Sequence, residues 1–374
     1  MKLSTFTPYF YAAALGLASL AATVKADETG ALYTMDNAVG ANHVLVFHRS
    51  ESGALTSAGS FATGGAGAGT AQGLPSQGSV AVSEDGRWLF VCNAGSDEIS
   101  AFAVSPRGLQ LTDKIASGGQ MPISLTFRQN VLYVLNAGGY LGGTDNITGF
   151  TFAGGLLTAL PGSTRMLSAA FTKPAEVSFN HDGDALVVTE QATSLVDTFD
   201  VNNDSLANGG EAFNSAGVQP FGFDFGRKNR LFVSEAAGGV ADASSISSYK
   251  LSDNDDLTVI SGAVPTHQTA ACWAIVSRNG RFAYTANAGS GSISGFGIAP
   301  DGSLSLVTPG GQTGLTGAGS HPTDMAESDN GRFLYSLNNG NGTISAFRAE
   351  ANGTLEPLTG ASGLPTSTAG LAGF

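Results

Sequence analysis

The sequence predicts an all-β fold, a seven-bladed β-propeller with four-stranded blades, and the first observation behind this prediction is a repeated segment. Residues 82–102, VSEDGRWLFVCNAGSDEISAF, return with the same pattern at 276–296 and 327–347. Each copy has an apolar run, a polar-Gly turn, a second apolar run and an Ile-Ser-x-Phe ending. Self-similarity at a fixed period indicates a repeat architecture, which decides the fold before any single element does.

The second observation is the spacing of the turns. Six turns follow one another 45 to 52 residues apart, at Asp85-Gly86, Asn130, Asp182-Gly183, Asn229, Asn279-Gly280 and Asn330-Gly331. Asp-Gly and Asn-Gly between alternating apolar runs are strong hairpin signals. A period of this length with four strands per copy is typical of a propeller blade.

The third observation is that a single copy divides into four strands. In the last copy, strand one is predicted in PTDMAES, strand two in RFLYSLN, strand three in GTISAFRAE and strand four in LEPLTG. Because each repeat contacts its neighbours, Phe102, Phe296 and Phe347 of the repeated segment are expected to pack between blades.

The first copy begins at Ala31 and lacks an innermost strand. The C-terminal STAGLAGF, residues 367–374, has the pattern of a strand one with nothing after it. We therefore predict that this last strand pairs into the first blade, which closes the ring and leaves no open edge. No linker breaks the period, so the propeller is predicted to span residues 27–374 as one domain. A closed ring needs no partner, and a monomer is expected.

Residues 1–26 are predicted to be a secretory signal peptide. Lys2 precedes an apolar run from Phe10 to Ala22, and Val24-Lys25-Ala26 fits a small-residue cleavage site. The alternative, a membrane anchor, is disfavoured because the run is shorter than the roughly 20 residues that a spanning helix needs. The protein is therefore expected to be secreted.

Charge and cysteine content restrict the partners. The net charge is −13, and removal of the signal peptide would delete two lysines and no acid, giving −15. Nucleic acid and anionic membranes are therefore not expected as partners. The repeat places Cys92 and Cys272 in distant blades, so no disulfide is expected. In a eukaryotic source, four sequons would be candidate glycan sites on surface loops: Asn146, Asn203, Asn341 and Asn352.

A candidate site lies where the inner strands begin. Residues that open strand one and residues that follow strand two share one face of a propeller, and function on repeat folds is concentrated on one face. Positions that break the repeat there are three catalytic candidates, Glu235, Glu190 and His321, and seven ligand-binding candidates, Lys173, Glu176, Gln219, Asp224, His267, Trp273 and Asp324. Glu190 and Glu235 replace the Asn of the repeat in two adjacent blades.

The acids of this set support two kinds of chemistry. The inner strands of a propeller surround a central funnel along its axis. Converging carboxylates can hold a divalent cation in this funnel, since hard ions take oxygen ligands, although no metal ligands are assigned. They can also serve as general acid and base once their pKa values are split, and a His near an Asp can act as a base. The competing interpretation places the acids in water at the funnel rim and His321 in a hydrogen-bonded core position.

The repeats, such as VSEDGRWLFVCNAG and ESDNGRFLYSLNNG, and links such as APDGSLSLV resemble those of the seven-bladed lactonase family. This family includes the propeller-type 6-phosphogluconolactonases and the fungal 3-carboxy-cis,cis-muconate lactonizing enzymes. The resemblance implies a histidine pair opening one inner strand, and a Pro-Arg-His with a later acid in the next blade. This chain has Lys173-Pro174-Ala175-Glu176 and Gln219-Pro220-Phe221-Gly222 there, and only Glu235 matches the acidic position.

Two function hypotheses follow. In the enzyme hypothesis, a lactone of a small polar acid is opened or closed, with Glu235 as base, Glu190 as its partner, and Lys173 or His321 stabilising the oxyanion. In the binding hypothesis, a secreted propeller holds a small polar molecule or an extracellular ligand without turnover, since one fold hosts many functions.

Overall fold

The computed structural model describes Met1, residues 30–69 and residues 74–374, and these residues form seven antiparallel sheets. Blades one and two contribute β1 (Gly30–Met35), β2 (His43–Arg49), β3 (Leu55–Ala62), β4 (Val80–Val82), β5 (Trp88–Asn93), β6 (Glu98–Ser105) and β7 (Gly108–Ala116). Blades three and four contribute β8 (Pro122–Arg128), β9 (Val131–Ala137), β10 (Asp145–Ala153), β11 (Leu156–Ala159), β12 (Arg165–Met166), β13 (Pro174–Phe179), β14 (Ala185–Glu190), β15 (Leu195–Val201) and β16 (Ala207–Asn214).

The remaining blades follow the same order. Blades five to seven contribute β17 (Pro220–Gly226), β18 (Arg230–Glu235), β19 (Ser245–Leu251), β20 (Leu257–Pro265), β21 (Ala271–Val276), β22 (Phe282–Asn287), β23 (Ser292–Ile298), β24 (Leu304–Leu306), β25 (Gly314–Leu315), β26 (Pro322–Glu327), β27 (Phe333–Asn338), β28 (Thr343–Ala349) and β29 (Leu355–Ser362). The last strand, β30 (Ala369–Gly373), belongs to blade one. Two short 3-10 helices, Gly138–Leu141 and Ala237–Gly239, lie in loops between strands two and three. The prediction of a seven-bladed propeller with four-stranded blades is confirmed.

The C-terminal strand closes the ring as predicted. Strand β30 pairs antiparallel with β1, and the amide of Ala31 donates to the carbonyl of Phe374 at 3.0 Å. The inner strands β30, β4, β8, β13, β17, β21 and β26 each contact the next, and β26 contacts β30. Gly370 permits this closure, because its φ is +70° and a Cβ there would lie 2.6 Å from Ser79 Oγ of blade two.

The repeated turns adopt the conformation that their residues favour. Gly86, Gly183, Gly280 and Gly331 have φ values of +66 to +78°, and Asn130 and Asn229 take the same left-handed region at +68° and +52°. Asn is the residue besides Gly that enters this region at low cost, which is why the hairpins of blades three and five form without glycine.

Aromatic side chains fill the spaces between blades. Phe102, Phe296 and Phe347 are each at most 1% exposed, and Phe347 packs in one cluster with Phe282 and Tyr284 of the preceding blade. Buried tyrosines in strand two also bond to the next blade along the chain. Tyr284 Oη donates to the Gly353 carbonyl at 3.1 Å. The predicted packing of the repeated phenylalanines is therefore confirmed, and the blades are joined by hydrogen bonds as well as apolar contact.

The structure can also be compared with the predictions on the cysteines, the sequons and the signal peptide. Cys92 and Cys272 are both buried and free. Asn146 lies inside β10 and is only 6% exposed, so a surface loop is wrong for that sequon, whereas Asn203, Asn341 and Asn352 are exposed. Within the described ranges, no helix is long and apolar enough to cross a membrane. The predicted signal peptide falls almost entirely on residues outside those ranges.

Candidate ligand site at the propeller axis

A segment of blade two blocks the axis. Gln77 precedes β4, and its Nε2 donates to the carbonyls of Ala274 at 2.8 Å and Phe223 at 3.2 Å. Its Oε1 accepts from the Ala274 amide at 3.0 Å, and its own amide donates to the Ala175 carbonyl. One side chain and its backbone therefore join blades four, five and six to blade two. The axis is divided into an opening face, where the inner strands begin, and a lower face, where they end.

Trp273, a predicted ligand residue, supports this plug. Its Nε1 donates to the Ser76 carbonyl at 2.9 Å, and its ring packs on Phe221 with centroids 4.9 Å apart. The side chain is 5% exposed. The structure therefore gives Trp273 a packing role at the axis.

The opening face holds several predicted residues in unusual backbone geometry. Lys173, Gln219 and His321 immediately precede an inner strand, with φ of +49°, +64° and +48°. Met121 and Ala270 occupy the corresponding places in blades three and six, at +54° and +55°. A non-glycine residue in the left-handed region costs free energy, and here the surrounding blade imposes this conformation at five equivalent positions. This recurrence indicates a requirement of the repeat.

The side chains of these residues do not converge. Lys173 Nζ lies 5.6 Å from the Phe171 ring centroid, and Gln219 Oε1 accepts from the Gly238 amide at 2.7 Å. The Nδ1 of His321 lies 3.2 Å from the Ala288 carbonyl oxygen. His267 is exposed on the loop between blades five and six. They therefore form a rim around the opening face.

Glu235 is enclosed by its own blade. It is 0% exposed and accepts hydrogen bonds from the Gly217 amide at 3.0 Å, from Ser245 Oγ at 2.5 Å and from Ser247 Oγ. Asn287, at the same position in blade six, donates to its two serines instead. Burial raises the pKa of Glu235, and the serine hydroxyls oppose that rise. The catalytic assignment of Glu235 stays a prediction that would require this cage to open.

Glu190 is held in a similar way. It is 0% exposed and accepts from the Ser168 amide at 2.9 Å and from Thr193 Oγ1 at 2.5 Å. Burial raises the pKa of Asp197, and the nearby Glu190 adds to that rise. The assignment of Glu190 as a catalytic partner also stays a prediction.

Four other acids line the axis itself, and three of them reach the inner strand of the next blade. Glu176 Oε2 accepts from the Phe223 amide and Asp224 Oδ2 from the Val276 amide, both at 2.7 Å. Asp324 Oδ2 accepts from the Leu371 amide at 3.0 Å. The fourth, Glu327, reaches back to blade six and accepts from the Arg278 amide at 2.7 Å. Each carboxylate thus joins two blades by satisfying a buried amide.

Burial raises the pKa of every member of this group. The pKa is about 6 for Asp224, about 7 for Glu327 and about 8 for Asp324, and it is raised well above the usual range for Glu176. In each case the loss of hydration is the largest cause, and backbone amides lower the pKa in opposition. The charge state of the axis therefore changes around neutral pH.

A cavity of about 420 Å³ opens at the lower end of the axis. We call it the basal pocket; its polar walls come from His181, Asp224, Arg227, Arg278 and Glu327, and its apolar walls from the ends of β17, β21, β26 and β30. This volume suits a small polar ligand. Of the ten predicted site residues, only Asp224 lines it.

The polar groups of the basal pocket are arranged around Glu327. Its Oε2 accepts from the Arg278 amide. Burial is the main cause of its raised pKa, Arg278 opposes the rise, and the neighbouring Asp224 adds to it. The guanidinium of Arg278 lies 3.1 Å from Asp329 Oδ1 at the surface, and His181 Nε2 lies 3.0 Å from the Phe225 carbonyl oxygen. Two carboxyl groups that titrate near neutrality therefore face one cavity beside fixed positive charge.

Sequence reasoning missed His181, Arg278 and Glu327 because it searched the face where the inner strands begin. The sequence does carry a signal at the opposite face, in the turn that follows strand one. His181, Arg227 and Arg278 occupy the place in this turn where blades two and seven have the acids Glu84 and Asp329. A divalent cation finds no support: in the part of the chain that the structure describes, no three His, Cys, Asp or Glu residues cluster as a metal site.

Comparisons with known proteins bear on the same fold. A family model described as "Lactonase, 7-bladed beta-propeller" matches residues 27–151 and 205–324. A putative 6-phosphogluconolactonase from Bacteroides fragilis is 19% identical, with TM-score 0.72, over 94% of this chain and 99% of that one. The periplasmic gluconolactonase of Pseudomonas aeruginosa is 16% identical, with TM-score 0.68, over 91% and 98%. A search among curated proteins gives no significant match. At these identities the structural likeness shows the fold alone.

Proposed function

Because this chain belongs to the seven-bladed β-propeller lactonase family, we propose that it binds a small polar acid or its lactone in the basal pocket and opens or closes the lactone ring. One observation carries the proposal: Asp224 and Glu327, with pKa values of about 6 and about 7, line one cavity of about 420 Å³ beside Arg278. Acid–base catalysts work best when their pKa lies near the operating pH.

The chemistry assigns roles to Glu327 and to the two arginines. Glu327 uses Oε2 for the Arg278 amide, which leaves Oε1 for a water molecule. As a carboxylate, it takes a proton from that water while the water oxygen forms a bond to the lactone carbonyl carbon. Arg278 and Arg227 stabilise the oxyanion that develops. The ring carbon–oxygen bond then breaks, and Glu327 returns the proton to the departing alkoxide. Lactone formation is the same path in reverse.

The substrate class comes from the family and from charge. Two structural neighbours are named as a 6-phosphogluconolactonase and a gluconolactonase. The family resemblance adds muconate-type lactones. Both classes carry or release a carboxylate, and the two arginines of the basal pocket suit such an anion.

The test is a pH-stat assay of the purified protein on sugar-acid and muconate-type lactones. We expect acid release above background, reduced at least about 100-fold by Glu327→Gln. Glu356→Gln, which removes an exposed partner of Arg348, is the matched control and should retain activity. Melting temperatures check that each variant folds.

The same assay decides between the two sets of catalytic residues. If Glu235→Gln or Glu190→Gln abolishes activity while Glu327→Gln does not, the reaction occurs at the opening face and the basal-pocket mechanism is wrong. Acid release that survives all three variants would also contradict it.

A non-catalytic binding protein is the second candidate. It is supported by exposed apolar side chains around the opening face, including Tyr140, Leu141, Phe171, Val218 and Val240, and by the absence of the family's histidine pair and arginine from residues 173–176 and 219–222. No acid release on any lactone, with a melting temperature raised by an unreactive sugar acid, would favour this function.

Secretion and a monomeric state remain part of the proposal. They rest on the apolar segment that precedes Ala26 and on the closed ring. Mass spectrometry of protein from the culture medium should find an N-terminus near Asp27. Sedimentation should give the mass of one chain.

A further inference from the structure

The turns between strands one and two of blades five and six are unusually basic. Blade five has Arg227-Lys228-Asn229-Arg230, and blade six has Arg278-Asn279-Gly280-Arg281. Blades two and four have Glu84-Asp85 and His181-Asp182 in the same place. Five of the 17 Lys and Arg residues of this acidic chain therefore lie in two adjacent turns.

These turns border a second cavity on the lower face. It has a volume of about 430 Å³ and lies between blades five and six, beside the basal pocket. We call it the blade 5–6 cleft; its charged walls are Arg227, Lys228, Arg230 and Arg281, and Phe232 and Pro300 form part of its apolar wall. Its lining residues include four basic side chains and no acid.

The basic side chains lack the acidic partners that other surface arginines have. Arg348 pairs with Glu356 at 2.7 Å and Arg87 with Asp85 at 2.6 Å. Among the described residues, none of the four basic residues of the cleft forms a salt bridge. Asp301 interacts with Arg230, but its pKa is lowered mainly by Ser303 and only in small part by Arg230.

One of the guanidinium groups is held by a hydrogen bond, and a second lies against a neighbouring turn. Arg230 Nη2 donates to the Pro300 carbonyl at 2.7 Å, which anchors it across the cleft. Arg227 packs over Gly280, where a Cβ would lie 2.9 Å from Arg227 Nε. Like charges held together repel each other, so the arrangement favours an anion between them.

We infer that the blade 5–6 cleft binds a doubly charged oxyanion, a phosphate or sulfate group, at a site beside the basal pocket, with which it shares Arg227. Guanidinium groups present donors in a planar fork that matches the oxygens of these ions, and Lys228 adds a point charge. The ligand is either a free ion or an ester carried by a larger molecule, and both present the same group. The inference does not depend on lactone chemistry, because the carboxyls of the basal pocket take no part in it.

The test is isothermal titration calorimetry of the whole protein with inorganic phosphate, inorganic sulfate and glycerol 3-phosphate, at constant ionic strength, with acetate as the singly charged control. We expect saturable binding of the doubly charged ions, weakened about tenfold or more by the double variant Lys228→Gln, Arg281→Gln. Both residues are exposed, so the fold should persist, and the melting temperature checks this. Tighter binding of glycerol 3-phosphate than of phosphate would assign the site to an ester.

The matched control is Arg332→Gln in the corresponding turn of blade seven, which should leave the affinity unchanged. If Arg332→Gln weakens binding equally, or if acetate binds as tightly as phosphate, the attraction is a non-specific effect of positive charge and the inference is overturned. Glu327→Gln separates the two sites. If phosphate binding requires Glu327, the anion occupies the basal pocket and the cleft assignment is wrong, whatever the lactone assay shows.

Discussion

Replacing Gln77 by Ala tests the plug across the axis. The change removes three side-chain hydrogen bonds, to the carbonyls of Phe223 and Ala274 and from the Ala274 amide. Each is worth about 1 kcal/mol net, which gives a loss of about 3 kcal/mol in the free energy of unfolding. Water can reach the partly exposed side chain, so the penalty for leaving these backbone groups unpaired is not added.

Calorimetry measures this loss of stability as a fall in the melting temperature. An unfolding entropy of about 2.1 cal/mol/K per residue gives about 0.8 kcal/mol/K for 374 residues, so the melting temperature should fall by about 4 °C. Gln110→Ala on the exposed outer strand β7 is the matched control and should change it by less than about 1 °C. Equal melting temperatures for the two variants would refute the idea that Gln77 joins the blades.

Three further predictions test the closure, the blade contacts and the axial acids. Gly370→Ala should lower the free energy of unfolding in urea by more than Gly363→Ala does. Both glycines have positive φ, but only a Cβ at Gly370 would meet Ser79 and Val80. Equal effects would show that backbone strain alone explains the loss and that the contact with blade two adds nothing. Tyr335→Phe should lower the free energy of unfolding by about 1 kcal/mol in the same assay, because the Gly53 carbonyl loses the Tyr335 hydroxyl that donates to it at 2.9 Å. The control Tyr140→Phe, at an exposed tyrosine, should leave the free energy of unfolding unchanged. Burial raises the pKa of Asp324 to about 8, so its protonated form favours the folded state, and stability should fall as pH rises from about 4 through 8. Asp324→Asn should flatten that fall in calorimetric melting curves, and a melting temperature that rises towards pH 9 would contradict the sign.

The blades could be predicted because residues close together in the sequence determine their turns and strands. The Asp-Gly and Asn-Gly pairs determine the turns, and the strands of the last copy begin and end within a few residues of their predicted limits. The closure by residues 369–373 could also be predicted, since a missing inner strand at one end and an extra strand at the other are both visible in the repeat.

The site could not be predicted to the same depth because its contacts cross the ring. Nothing in the sequence around Gln77 marks it as a residue that bonds to other blades, yet its side chain reaches blades five and six, and β4 begins only at Val80. Glu235 looks like a free acid in the sequence, because Ser245 and Ser247 reach it only through the hairpin of blade five. Asp324 was predicted to bind a ligand, but its carboxylate accepts a hydrogen bond from the Leu371 amide of blade one.

The pairing of β1 with β30 also has a consequence for synthesis of the chain. Thr34 Oγ1 donates to the carbonyl of Ala369, across a separation of 335 residues. This bond can form only after residue 369 has left the ribosome, so β1 waits with an uncovered edge while every other blade is being made. Such long-range pairing is slow and leaves the intermediate open to intermolecular strand pairing. Removal of the last few residues should therefore impair the yield of native protein during translation more than the small area they cover would suggest.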